Sequence, residues 1–192
     1  VGFRISWIAT EASEETVLAA LYAVKTGETD AYPDFDLCLV TAKPGWTIIW
    51  SNDEAFFDDA RCIVLSRAFP LLGVHVNETV MYSDARWFEA GEMVWKIWHE
   101  GDKDLAHLAR IGAIPDHAAE IEQAKRAEQK RDDEANPGDA ADFIFEIPLE
   151  LAASYCGFKH DEFEGAEDSC RELQSQLVAK KPRSFLARLF GG

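Results

Sequence analysis

The chain has 192 residues, 47% of them apolar, and its 35 acidic side chains against 19 basic ones leave a net charge of −16. Twelve Phe and six Trp offer enough burial to offset ordering entropy, which excludes disorder over most of the length, and the size suits one packed domain. A pI near 4.6 excludes a phosphate-tracking surface, so nucleic acid is not an expected ligand.

Taken in chain order, Phe3, Ile5 and Trp7 alternate with Arg4 and Ser6, the period of a half-buried strand. Ser13 then stands before Glu14 and Glu15 as a helix N-cap, and apolar residues recur at helical spacing from Val17 to Val24 before Gly27 closes the pattern. An acidic loop follows. Residues 37–41 and 46–50 flank Lys43-Pro44-Gly45, a turn signal that predicts a hairpin. A short helical piece is read over 55–57, and strands over 61–66 and 73–82. Residues 88–99 fold back on themselves around Ala90-Gly91, with Met93, Trp95, Ile97 and His99 on one strand face and Val94, Lys96 and Trp98 on the other.

Leu105, Leu108 and Ile111 lead into a strand before the break at 112–115. Strong helix formers over 116–134, with only a thin apolar stripe, predict a surface helix that Asn136-Pro137-Gly138 stops. Residues 142–147 read as a short strand, Pro148 opens a helix through Tyr155 that ends at Gly157, and a last helix is read over 167–179. The expected class is α+β, a mostly antiparallel sheet with helices packed on one face. Residues 1–179 form that single domain and residues 180–192 a basic amphipathic tail. The tail holds Lys180, Lys181, Arg183 and Arg188 with no acid, and Phe185, Leu186, Leu189 and Phe190 make one helical stripe suited to docking.

Chemistry is thinly signalled. His160 lies beside Asp161 in an acid-rich loop, where a carboxylate-oriented imidazole can act as a general base, so the pair is the candidate for a hydrolytic site. His75 and His99 sit among apolar strand residues and read as core or edge histidines. Asp30, Asp34 and Asp36 crowd one loop without the spacing or central Gly of a calcium loop, so no metal and no cofactor is expected. Cys38, Cys62, Cys156 and Cys170 are too scattered for a zinc framework and are expected as free thiols. The tryptophans at 46, 50, 87, 95 and 98 default to core packing.

The start Gly2-Phe3-Arg4-Ile5-Ser6-Trp7-Ile8-Ala9, the Val80-Met81 region, the Trp95–Trp98 stretch and Gly157-Phe158-Lys159-His160-Asp161 resemble a family of bacterial proteins of similar length. The resemblance implies a bacterial origin and one intact domain, and it brings no activity or catalytic residues with it.

No apolar run reaches the ~18 residues of a membrane-crossing helix and no signal-like start is present, so a cytoplasmic location is expected. The leading functional expectation is a non-enzymatic acidic interaction domain, similar in kind to the immunity proteins that neutralise toxins. It would meet a basic protein partner through Asp34, Asp36, Asp58 and Asp59. The alternatives are a hydrolase at His160 and Asp161, and an adaptor that docks through the Phe185–Phe190 stripe.

Overall fold

The first apolar alternation becomes strand β1 (Arg4–Thr10) in the computed structural model of the protein, which describes residues 2–138 and 141–177. Ser13 caps helix α1 (Glu14–Ala20), its hydroxyl accepting the Thr16 N–H at 3.3 Å while Glu14 and Glu15 occupy the positive first turn. The helix is shorter than its sequence pattern. It stops at Leu21, Tyr22 adopts a φ of 47°, and strand β2 (Ala23–Asp30) starts at once. Gly27 is therefore no helix cap; its φ of 97° lies within the register shift between Lys25 and Thr29, where two extra residues on β2 bulge the strand.

Strands β3 (Leu37–Val40) and β4 (Thr47–Ser51) form the expected hairpin, with the Trp46 N–H bonded to the Lys43 carbonyl at 3.3 Å. Helix α2 (Asp59–Leu65) replaces the strand read over 61–66. Asp58 caps it by accepting the Arg61 N–H at 2.8 Å, and burial of Cys62 and Leu65, three residues apart, needs helical spacing. Strands β5 (Leu71–Asn77), β6 (Tyr82–Glu89) and β7 (Glu92–Glu100) form a meander, its second turn at Ala90-Gly91 as read and its first splitting the single strand read over 73–82. Between Trp87 and Phe88 the register shifts, so Phe88 faces Met93 and Trp87 faces Trp95. That bulge sends Met93 to the face opposite Trp95 and Ile97, against simple alternation.

Strand β8 (Ala109–Gly112) is an edge, and helix α3 (Ala118–Ala135) lies on the surface with Ala118 alone buried. The strand read over 142–147 is instead a turn leading into helix α4 (Glu146–Cys156). Asp142 Oδ1 accepts the N–H groups of Ile144 and Phe145, both at 3.1 Å, which winds the chain where alternation suggested extension. Strand β9 (Cys170–Ser175) stands where a last helix was read. It fills a slot between β2 and β3, and ladders on both sides outweigh the helix propensity of Glu172, Leu173 and Gln174.

All nine strands of the described residues join one antiparallel sheet in the order β2-β9-β3-β4-β1-β5-β6-β7-β8, which gives the α+β class. The helices do not share one face. Ile5, Trp7, Trp50, Val74 and Ile97 pack with Ile147 and Leu151 of α4, whereas Ile8, Ile49, Leu71 and Phe88 pack on the other side with Val17 of α1 and Cys62 of α2. The cause is in the central strands, where neighbours such as Trp7 and Ile8 are both buried, so both faces demand cover. Each fully buried Ile, Leu or Phe contributes about 1.5–3 kcal/mol, a loss that an uncovered face would incur many times over. No described helix is long and apolar enough to cross a membrane.

Two consequences of this topology position the candidate site. The registers Ser6↔Ser51, Arg4↔Asn77, Leu37↔Ser51 and Tyr82↔Glu100 place the starts of β1, β3 and β6 and the finishes of β4, β5 and β7 at one end of the sheet. Strands β2 and β3 are both antiparallel to β9 and hence parallel to each other, so residues 31–36 return between them as a strap, with Phe35 packed on the α4 side.

Candidate functional site

The connections at that end of the sheet carry a group of acidic side chains, of which Asp36 and Asp58 were singled out in the sequence. Asp36 precedes β3, Asp53, Glu54 and Asp58 lie between β4 and α2, Glu78 is in the β5–β6 turn, and Asp102 and Asp104 follow β7. Asn52 binds the strap to this group, donating through Nδ2 to the carbonyls of Pro33 at 2.7 Å and Phe35 at 2.8 Å, and Ser51 Oγ donates to the Asp36 carbonyl at 3.2 Å. Asp34 and Asp36 are thereby held beside the β4–α2 loop, both exposed. The bases at this end are already engaged. Arg4 pairs with Glu54 at 2.8 Å and Lys103 with Glu100, while Lys159 meets Glu146 at 2.7 Å and Glu162 at 2.9 Å.

Of the four aspartates named from the sequence, Asp34, Asp36 and Asp58 are exposed and Asp59 is partly so; Asp58 caps α2, and Asp59 Oδ1 accepts from Arg86 at 2.6 Å. Arg86 is itself buried on β6, with Nε 2.9 Å from Asp84, and Asp84 also accepts from the Tyr82 hydroxyl at 2.8 Å and lies 3.3 Å from Lys96 Nζ. Sequence reasoning missed this charge cluster. Its signal was available: Tyr82, Asp84 and Arg86 are two apart, and strand periodicity places them on one face. Burial alone would lower the Arg86 pKa, but Asp84 and Asp59 hold it above its ordinary value, so the guanidinium stays charged and the cluster stays paired. His75, half-buried beside it, has its ring 4.9 Å from Tyr82 and Nε2 3.8 Å from Glu54, and burial holds its pKa down.

His160 is buried. Its side chain is 1% exposed, its ring stands edge-on to Phe3 at 4.9 Å, and its Nε2 lies 3.5 Å from Glu78 Oε1. Asp161 does not orient it closely: the nearest carboxylate oxygen is 3.8 Å from Nδ1, which has no hydrogen-bond partner. Burial pushes the His160 pKa below its ordinary value while Asp161 and Glu78 pull the other way. The imidazole is thus neutral at pH 7. Two surface clefts of about 240 Å³ border α3, one lined by Phe143 and Arg131, the other by Leu105, Arg126 and Ile144, and neither includes His160.

His99, read as a core histidine, is buried with both ring nitrogens bonded. Nδ1 lies 2.7 Å from the His107 carbonyl and Nε2 2.9 Å from Asp142 Oδ2. Both partners are acceptors, so both nitrogens must carry protons and the ring is an imidazolium. Burial opposes this, but the bonds to Asp142 and His107 raise the pKa overall. Gly101 completes the packing, since a Cβ there would fall 2.9 Å from His99 Nε2 and 2.7 Å from the Met81 Cβ.

Among the described residues no group of three or more His, Cys, Asp or Glu is placed to hold a metal ion. All four cysteines are free thiols, as expected. Trp7, Trp50 and Trp95 are buried, and Trp46, Trp87 and Trp98 are half-buried. Residues 178–192, which contain Phe185, Leu186, Leu189 and Phe190, lie outside the described residues. Comparison with protein-family models, with curated proteins and with solved structures gives no match for this chain.

Proposed function

We propose that the protein is a non-enzymatic interaction domain that meets a basic protein partner with the acidic end of its sheet, similar in kind to immunity proteins that neutralise toxins. One observation carries this reading: acidic residues scattered from Asp34 to Asp104 in sequence converge at one end, where Arg4 and Lys103 are already paired with carboxylates. The field there is negative at close range, which speeds encounter with a basic surface and fixes orientation. The opposite end, with Glu11, Lys43, Arg67 and Glu89, mixes both signs.

Hydrolysis at His160 and Asp161 finds less support. The imidazole is buried, its Nδ1 is unbonded, and neither cleft bordering α3 reaches it. A general base must stand within reach of a substrate proton, which this placement does not offer. The adaptor reading through the Phe185–Phe190 stripe rests on residues outside those described.

The test compares the native chain with a variant carrying Asp34→Asn, Asp36→Asn, Asp102→Asn and Asp161→Asn, which spares the α2 cap and the Arg86 pair. A protein captured from native lysate by the native chain should be lost by the variant. It should also be released between about 0.1 M and 1 M salt, where the screening length falls from about 10 Å to about 3 Å. Equal capture by both chains, or a complex indifferent to salt, overturns the reading.

A further inference from the structure

His99 on β7 has one acceptor at each ring nitrogen, and the two acceptors belong to different segments. Nδ1 donates at 2.7 Å to the carbonyl of His107, near the end of the 101–108 loop, and Nε2 at 2.9 Å to Oδ2 of Asp142, at the head of the turn that leads into α4. The same two segments line one of the clefts beside α3: Leu105 and Ala106 come from the loop, Ile144 from the turn, and Arg126, Gln129 and Lys130 from the helix. The turn has further ties. Gln129 bonds both the Ala141 carbonyl and the Phe143 N–H at 2.8 Å, and Ser83 Oγ donates to the Phe145 carbonyl at 2.6 Å. The loop differs. Residues 102–106 are exposed, the N–H groups of Lys103 and Asp104 return to the Glu100 carbonyl, and those of Ala106 and His107 return to Asp104, so the loop is tied across to the turn through His107 and His99.

We propose that His99 is a proton-operated clasp: with both ring nitrogens protonated it binds the 101–108 loop to the turn before α4, and on losing one proton it releases the loop and widens the cleft beside α3. The direction of release follows from the donors available. A neutral imidazole has one N–H and one lone pair. The remaining proton stays on Nε2, because the Asp142 side chain is 7% exposed and an unpaired buried carboxylate costs more than an unpaired carbonyl. Nδ1 then turns a lone pair toward the His107 carbonyl oxygen 2.7 Å away, where two acceptors repel. The turn keeps its bond and the loop loses its own.

The surroundings of the ring fix the sign of the response. Asp142 faces it from the turn and Asp104 from the loop, β6 sets Ser83 opposite it, and the Phe145 ring stands edge-on at 6.4 Å. Lys103, the loop's cation, is paired with Glu100. His107, its ring 6.2 Å from His99, accepts the Glu100 N–H through Nδ1 at 3.0 Å and so carries its own proton on Nε2. Burial favours the neutral form of His99, but the bonds to Asp142 and His107 and the two carboxylates outweigh it and hold the pKa above its ordinary value. The clasp is therefore closed on the acid side and opens as pH rises through the folded pKa. Protonation of His107 would instead break its bond to Glu100 as pH falls, the opposite sign.

The test follows amide hydrogen exchange of the full-length chain by mass spectrometry from pH 5 to 9, each rate divided by the unstructured rate at the same pH, while the ring NMR signals of His99 and His107 report their titrations. Residues 100–107 should lose protection by at least about tenfold, the equilibrium worth of one charge-assisted hydrogen bond, with a midpoint on the His99 titration. Residues 141–145 should keep theirs. In a His99→Gln chain, checked for folding by circular dichroism, loop protection should be the same across the range; if that chain does not fold, the native series decides alone. The proposal is overturned by constant protection of 100–107 through the His99 titration, by a His99 ring that does not titrate in this range, by equal loosening of 141–145, or by a pH dependence that survives in His99→Gln.

Discussion

His99 and His160 are both buried on the α4 side of the sheet, and they solve burial in opposite ways. His99 has acceptors on both nitrogens at 2.7 and 2.9 Å and is charged; His160 has a carboxylate no nearer than 3.5 Å, an unbonded Nδ1, and is neutral. The difference teaches that a neighbouring acid in sequence is a poor guide to an activated histidine. Asp161 adjoins His160 and holds it weakly, while Asp142, 43 positions from His99, holds that ring firmly because the α4 turn delivers it.

The most damaging way to break this contrast is Asp142→Ala. It leaves a buried imidazolium unpaired and strips the acceptor from the Ile144 and Phe145 amides, so equilibrium denaturation should show a loss of about 3–5 kcal/mol. A loss under about 1 kcal/mol would mean that the pair is dispensable. Gly101→Ala acts on the same pair by crowding, with a Cβ inside contact distance of His99 Nε2, and about 1–3 kcal/mol of destabilisation is expected.

The pH dependence of the two histidines should have opposite signs. A raised pKa in the folded state means that His99 stabilises fully below the ordinary histidine value and loses that contribution as pH rises through its folded pKa. A lowered pKa means that His160 contributes above the ordinary value and that its contribution is lost as pH falls through its folded pKa. Chemical denaturation of native, His99→Gln and His160→Phe chains across pH 5 to 9 separates them. Removal of His99 should flatten the alkaline limb, and removal of His160 the acid limb. The smallest effect is His160→Phe at pH 7 itself: a neutral, weakly bonded ring exchanged for an apolar one should change stability by less than about 1 kcal/mol. A large loss there would show that the weak contact with Glu78 is worth more than its geometry implies.

Local signals carried a good part of the fold. The Ser13 cap, the Pro44-Gly45 turn, the Ala90-Gly91 reversal and the stop at Gly157 are each written in a few adjacent residues, and each stands where it was read. The failures share a cause. Residues 61–66, 142–147 and 170–175 take a different element from the one their local pattern suggests because short runs satisfy helical and extended spacing alike, and the choice falls to Asp58, to Asp142 and to the slot between β2 and β3. The acidic composition of the loops was plain, but their gathering at one end depends on strand registers, and the Asp84–Arg86 cluster with its Asp59 partner depends on where α2 crosses the sheet.

By itself the sequence determined that this chain folds around a sheet, that its exterior is anionic, and where most turns and caps fall, since those properties are sums over composition or contacts between near neighbours. Tertiary structure alone decided that both sheet faces are covered, that β9 enters beside β3, and that Asp142 reaches His99. Such pairings join positions tens to more than a hundred residues apart. Their energy depends on distance in space, which local pattern does not encode and which only the closed hydrogen-bond ladder and packed core impose.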